Sequence, residues 1–182
     1  MITLRKAIET DFPAWWDLRK KALGAHPDAF GSSLQDALAT SDDEARRRFV
    51  DVSINGGNAI FVAIDDAGNM VGMTGIFHES GPKERHRAGI WGVYVDPIAR
   101  GQGVGTMLLG AAIAHAREIH GVLQLELTVA SHNRAAANVY INAGFVRYGV
   151  HPRGLLIDDW AIDEDLMVLI LDEPTTTVGE TA

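Results

Sequence analysis

The 182-residue chain contains no cysteine. Disulfides, thiolate zinc sites and a cysteinyl acyl-enzyme are therefore excluded. It has no uninterrupted apolar run of about eighteen residues, so no membrane-spanning helix is expected. The start of the chain, Ile2-Thr3-Leu4-Arg5, has no long apolar stretch of the kind a signal peptide carries. Positive charge is in short supply: 16 Lys and Arg face 24 Asp and Glu, a net charge of −8. A general nucleic-acid or membrane-surface binder would show a basic patch or stripe. The expectation is a cytoplasmic protein with neither nucleic acid nor membrane as partner. Hydrophobic residues make up 47 % of the chain, enough for a packed core in one domain. No internal repeat and no linker divides it. One domain is expected over residues 1–173, with a flexible tail over 174–182.

The segment from Val93 to Thr106 carries the densest information. A β-branched strand, Val93-Tyr94-Val95, runs into Asp96-Pro97, and proline cannot donate to a sheet ladder. Arg100-Gly101-Gln102-Gly103-Val104-Gly105-Thr106 follows, and then a long apolar helix. Glycine lets backbone approach a ligand closely, and a helix start presents unpaired N–H donors and the positive end of its dipole. The pattern reads as a cradle for a phosphate or pyrophosphate. Its bland reading is a tight strand-to-helix turn.

Spacing separates the familiar cradles. A dinucleotide fingerprint, G-x-G-x-x-G, would need its third glycine at Thr106 or Leu108, according to register. A P-loop would need a lysine after its last glycine, and this region has none. What remains is Arg100-x-x-Gly103-x-Gly105. Further on, Leu127, Val129, Asn133, Ala136, Tyr140, Gly144 and Phe145 fit the pattern L-x-V…N-x-x-A-x-x-x-Y-x-x-x-G-F. Through these two ordered motifs, over residues 88 to 150, the chain resembles the GCN5-related N-acetyltransferases, the GNAT superfamily.

The coarse reading gives strands at 2–8, 59–64, 70–77, 88–95, 125–129, 145–150 and 166–171. Helices are expected from Thr10 to about Gly24, from Ser41 through Val50, over 103–120 and from Arg134. Residues 26–31 and 151–161 read as loops. The helix after Gly103 carries apolar residues on much of its surface, including Met107, and is expected to be largely buried. This order implies an α/β fold. The resemblance implies the GNAT fold: a single mixed, mostly antiparallel twisted sheet of about seven strands, flanked by helices, with a splayed central strand pair.

The resemblance also implies roles. Acetyl-CoA would be the co-substrate, lying in the splay, and no metal is implied. Backbone groups of Val93, Tyr94 and Val95 would hold its pantetheine arm and thioester carbonyl. Arg100, Gly101, Gln102, Gly103, Val104, Gly105 and Thr106 would form the pyrophosphate loop. Asn133 would bond the pantetheine; as a bland reading it is only a helix cap. Tyr140 would protonate the leaving thiolate as general acid; as a bland reading it is a core aromatic. The other partner is an amine acceptor, and the family allows a homodimer.

The base is open. Some family members carry glutamate at the position of Thr128, which cannot serve. By location the candidates are Glu79, Glu84, His78, His86 and His151, or water. The seven histidines show no metal-ligand spacing and read as surface or packing residues. Trp91 alternates with Val93 and Val95 and reads as core on their face. The acidic group Asp158, Asp159, Asp163, Glu164 and Asp165 is a solvated turn or a lure for a cationic amine. The basic loop 83–87 points instead to an anion. The resulting expectation is direct acetyl transfer to a primary amine, preferably of a small molecule, since no added recognition domain is visible. The alternatives are a peptide or protein acceptor, a non-catalytic acyl-CoA sensor, and a nucleotide-binding enzyme.

Overall fold

The computed structural model describes residues 1–54 and 57–171. The expected tail, and the domain end at 173, lie outside the described residues. Seven strands form one sheet: β1 (Thr3–Lys6), β2 (Ala59–Ile64), β3 (Met70–His78), β4 (Arg87–Val95), β5 (Gln124–Ala130), β6 (Val146–Ile157) and β7 (Trp160–Ile170). Their order is β1-β2-β3-β4-β5-β7-β6, and all pairs are antiparallel except β4–β5. Five helices cover it: α1 (Phe12–Ala25), α2 (Leu34–Ala39), α3 (Asp42–Ile54), α4 (Val104–Glu118) and α5 (Arg134–Asn142).

The continuous apolar run of β2 follows from burial on both faces. Ala59, Phe61 and Ala63 pack into one core with α4 and α5; Ile60 and Val62 pack into the other with α1 and α3. On α4 the buried positions are Val104, Leu108, Leu109, Ala112, Ile113 and Ala116, a single stripe at helical spacing. The helix is thus one-faced, and Met107 lies on its exposed side. Gly72 on β3 lets this stripe come close: a Cβ there would meet Leu108 Cδ1 at 2.9 Å. The buried face of α1 carries Phe12, Trp15, Leu18, Ala22 and Leu23, and also one charged residue, Arg19.

Three expectations are corrected. First, α2 intervenes before α3; Ser33 Oγ accepts from Asp36 N at 3.0 Å to cap it, but six residues are too few to show a helical period. Second, residues 151–161 are not a loop. They continue β6, turn at Asp158 and begin β7, as the pairs Leu155↔Ile162 and Ile157↔Trp160 show. The register shifts between His151 and Leu155, and Arg153 takes φ 55° there. This bulge absorbs Pro152 and Gly154, the residues that imitate a loop.

Third, Trp91 lies on the opposite face from Val93 and Val95. Trp91 and Tyr94 pack against the α1–α3 core, whereas Ile90, Val93 and Val95 pack against the α4–α5 core. The reason is a bulge at Gly92, φ 64°, where the β3–β4 register slips between Met73/Tyr94 and Gly75/Trp91. One extra residue inverts the alternation beyond it.

Trp91 lies flat on Gly75, where an added Cβ would sit 2.1 Å from its ring. Gly75→Ala should cost roughly 1–3 kcal/mol through overpacking. Gly110→Ala, on the exposed side of α4 with open space around it, should instead gain up to about 1 kcal/mol from helix propensity. Urea denaturation of the two variants checks this. Equal effects would contradict the close Trp91–Gly75 contact.

Candidate active site

β4 and β5 are hydrogen-bonded neighbours only at Arg87↔Gln124, Ala88↔Leu125 and Gly89↔Glu126. Beyond Gly89 they part. The outer edge of each stays paired: β4 with β3 as far as Val95↔Gly72, and β5 with β7 along its whole length. The inner edges therefore face each other across a gap with their backbone groups available. The expected splayed pair is thus present.

At the open end of the gap β4 runs into a 3-10 turn, Pro97–Ala99, whose first residue is prepared by Asp96 accepting from Ile98 N at 3.2 Å. Arg100 folds back rather than outward. Its Nε donates to Val95 O at 3.2 Å, and a guanidinium nitrogen lies 3.0 Å from His26 Nε2. Gly101 and Gly103 both adopt φ 75°, in open surroundings. This left-handed geometry is what selects glycine. Gly103 caps α4, and the first α4 amide bonded within the helix is Met107 N, to Gly103 O at 3.0 Å. The N–H groups of Val104, Gly105 and Thr106 are left at the helix start, where an anion is favoured.

On the β5 side, Asn133 Oδ1 accepts from Ala136 N at 3.1 Å and caps α5. Asn133, Ala136 and Tyr140 follow at helical spacing, so one face of α5 presents all three to the gap. Tyr140 is buried and packs edge-on to Phe145. Burial raises its phenol from 10.0 to about 12. It keeps its proton at neutral pH and is a weaker acid than a free phenol.

These parts enclose a cavity of about 800 Å³. Val93, Tyr94, Val95, Arg100, Gly101, Gly103, Val104, Gly105, Thr106, Asn133 and Tyr140 all line it. Gln102 does not line it; its carboxamide donates to Ile98 O at 3.3 Å. None of the proposed bases lines it either. Glu84 bonds Arg87 at 2.6 Å, and His78 Nε2 lies 2.6 Å from Arg85 O, both at the paired end of β4. His151 sits on β6, 4.0 Å from Glu164. Within the acidic group, buried Asp165 accepts from Ser131 Oγ at 2.6 Å and pairs with Arg147 at 3.0 Å, a structural use. Among the described residues no group of three or more His, Asp or Glu is arranged to hold a metal ion.

One part of the wall carries no sequence signature. His26, Asp28 and Phe30, after α1, cross the gap. His26 meets Arg100 on one arm, and Asp28 meets His132 at 2.7 Å on the other. These partners lie far apart in sequence, and only the His-Pro step after α1 hints at a fixed loop.

Residues 15–145 match the model of the Acetyltransferase (GNAT) family. The chain belongs to this family. A mycothiol acetyltransferase from Salinispora tropica is 34 % identical over 145 residues, covering 78 % of this chain and 43 % of that protein. One from Propionibacterium freudenreichii is 35 % identical over 119 residues, covering 64 % and 36 %. The chain thus spans less than half the length of these relatives. Among solved structures, a GNAT acetyltransferase from Streptococcus pneumoniae superposes with TM-score 0.83 at 22 % identity, covering 94 % of this chain and all of that one. A GNAT phosphinothricin acetyltransferase from Sinorhizobium meliloti, in complex with AcCoA, gives 0.80 at 20 %, covering 98 % and 96 %. The fold is the GNAT fold.

The raised Tyr140 phenol has a measurable consequence. A group whose folded pKa exceeds its unfolded value stabilises the fold below the unfolded value and loses that contribution as pH rises to the folded one. Stability should therefore fall between pH 10 and about 12 as unfolding releases this phenol to ionise. Alkaline unfolding followed by circular dichroism should be less steep in Tyr140→Phe. An identical pH dependence in the two proteins would show that Tyr140 is not desolvated.

Proposed function

We propose that the chain is an acetyl-CoA-dependent N-acetyltransferase that passes acetyl directly to a primary amine of a small molecule. The observation that carries this is the placement of the left-handed Gly101–x–Gly103 cradle and of Tyr140 in the wall of one cavity, at opposite arms of the β4–β5 gap. Its volume suits a small-molecule or cofactor site. The cradle offers anion-binding N–H groups, and the unpaired β4 edge offers donors and acceptors to an extended amide chain, so the residues present fit acetyl-CoA.

Acetyl-CoA, when bound, supplies the activated acetyl thioester. The helix start at Val104, Gly105 and Thr106 would hold its pyrophosphate. Backbone groups of Val93, Tyr94 and Val95 would hold and orient the arm, and an N–H aimed at the thioester oxygen would stabilise the charge developing there. Asn133 has its Oδ1 engaged as a cap, which leaves its NH₂ to bond the arm. Tyr140 would deliver its phenolic proton to the departing thiolate. Arg100, turned back to Val95 O and His26, would act by shaping the loop. With the five candidate bases out of the wall, and His26, Asp28 and His132 tied to Arg100 and to each other, water would take the proton from the incoming ammonium. A small-molecule acceptor is supported by relatives named for mycothiol and phosphinothricin.

Thiol release from acetyl-CoA, measured across amino acids, polyamines, aminoglycosides and short peptides, tests the reading. The chain has no thiol of its own to contribute background. Amine-dependent release is expected, with kcat lowered roughly 10²-fold in Tyr140→Phe and KM for acetyl-CoA little changed. Saturable acetyl-CoA binding with no release for any amine would favour a sensor over an enzyme. Release confined to peptides would move the acceptor class.

A further inference from the structure

Arg19 is the charged residue on the buried face of α1, and only 9 % of it is exposed. Buried guanidinium groups are ordinarily paired. Among the described residues no carboxylate bonds this one. Its Nη1 has no hydrogen-bond partner at all, and its Nη2 reaches only Ser32 Oγ, at a long 3.4 Å. Two aromatic rings hold it instead: Phe30 at 5.2 Å and Trp91 at 5.6 Å from the guanidinium carbon. Rings attract the cation through their faces but do not satisfy its N–H edges. Desolvation accordingly lowers its pKa to about 10.

Its position ties it to the gap. The place where a Gly92 Cβ would sit is 3.2 Å from Arg19 Nη1. The guanidinium therefore lies behind the β4 bulge, on the face of the sheet opposite the α4–α5 core. Phe30, which stacks on it, is also in the wall of the large cavity. Arg19 lines a second cavity of about 350 Å³ between α1, α2 and α3, with Trp15, Trp16, Ser32, Asp36 and Arg48. Arg48 is already paired with Glu44, so Arg19 is the cation there without an anion. Asp36 is bonded to Ser33 Oγ at 2.7 Å. Its carboxylate, turned to Ser33, does not bond Arg19.

We infer that the acceptor amine carries a carboxylate, and that Arg19, whose buried Nη1 lacks a hydrogen-bond partner beside Gly92, binds it. The planar fork of a guanidinium matches a carboxylate through two parallel hydrogen bonds. A ligand carboxylate displaces the weak Ser32 contact and engages the Nη1 that now lacks a partner. The substrate class is then an amino-acid-like amine rather than a polyamine. The inference rests on the acetyltransferase reading for the word acceptor, but the binding site is testable without turnover.

The full chain is titrated with the twenty L-amino acids and with their carboxamides, reading tryptophan fluorescence, since Trp91 sits beside Arg19. Thiol release with the same pairs is measured in parallel. At least one amino acid should bind and react roughly ten- to hundredfold better than its carboxamide, the size expected for a charge-assisted pair. Arg19→Met should erase that preference with acetyl-CoA binding unchanged, and Arg19→Lys should keep part of it. Equal binding and reaction of acids and amides in the unmutated chain would overturn the inference, even if Arg19→Met failed to fold. Retention of the preference in folded Arg19→Met would also overturn it. Transfer to amines with no carboxylate preference would leave the acetyltransferase reading intact. Carboxylate-dependent binding without thiol release from any amine would do the reverse.

Discussion

The structure depends on β4 and β5 ceasing to pair after three residues. Had they zipped to their ends, the inner backbone groups of Val93, Tyr94 and Val95 would be satisfied by the neighbouring strand. There would be no gap and no cavity. The gap persists because each strand is anchored from outside, β4 by β3 and β5 by β7. The bulge at Gly92, three residues beyond the last paired residue, Gly89, keeps the remainder of β4 out of step with a parallel partner. The open edges are thus held rigidly before any ligand arrives, and fixed dipoles of this kind need little reorganisation during reaction.

The two arms then carry different chemistry for local reasons. On the β4 arm, Pro97 ends the strand and two left-handed glycines turn the chain into α4, which leaves the N–H groups of Val104, Gly105 and Thr106 at the helix start. On the β5 arm, Asn133 starts α5, and the helical repeat brings Tyr140 round to the same side two turns later. Anion binding needs solvent-facing donors, and Gly101 and Gly103 have open space. Tyr140, by contrast, is buried, which keeps its phenol protonated. The loop carrying His26 and Asp28 bonds to both arms and fixes their separation across the mouth.

What could be read from the sequence was what short-range pattern controls. β2 was legible to the residue, β3, β4 and β5 within a residue or so at each end, and the glycine loop and the Asn133–Tyr140 helix were legible because spacing alone defines them. The β6–β7 hairpin was not, because the bulge at Arg153 uses the same proline and glycine that a loop would. The face of Trp91 was not, because alternation inverts at Gly92, and a glycine inside a strand was the only warning. The His26–Asp28 crossing was not, because its partners, Arg100 and His132, are 74 and 104 residues away. Four of the candidate bases, His78, Glu79, Glu84 and His86, fall outside the cavity wall for a related reason. Residues 78–86 precede β4 in sequence, and in a parallel pair that is the closed end of the gap.

Gly92 joins the two faces of the site. On one side its bulge lies in the unpaired stretch of β4 that borders the cavity that would hold the acyl donor. On the other, the missing side chain lets Arg19 come up against the strand. A residue with a Cβ here would strain the left-handed backbone and also displace the guanidinium. The same position therefore sets how near a buried cation lies to β4. An acyl transfer needs its two ligands held together with the reacting atoms in close, aligned geometry. Gly92, with no Cβ, is what lets an unpaired guanidinium approach the strand that borders the donor gap.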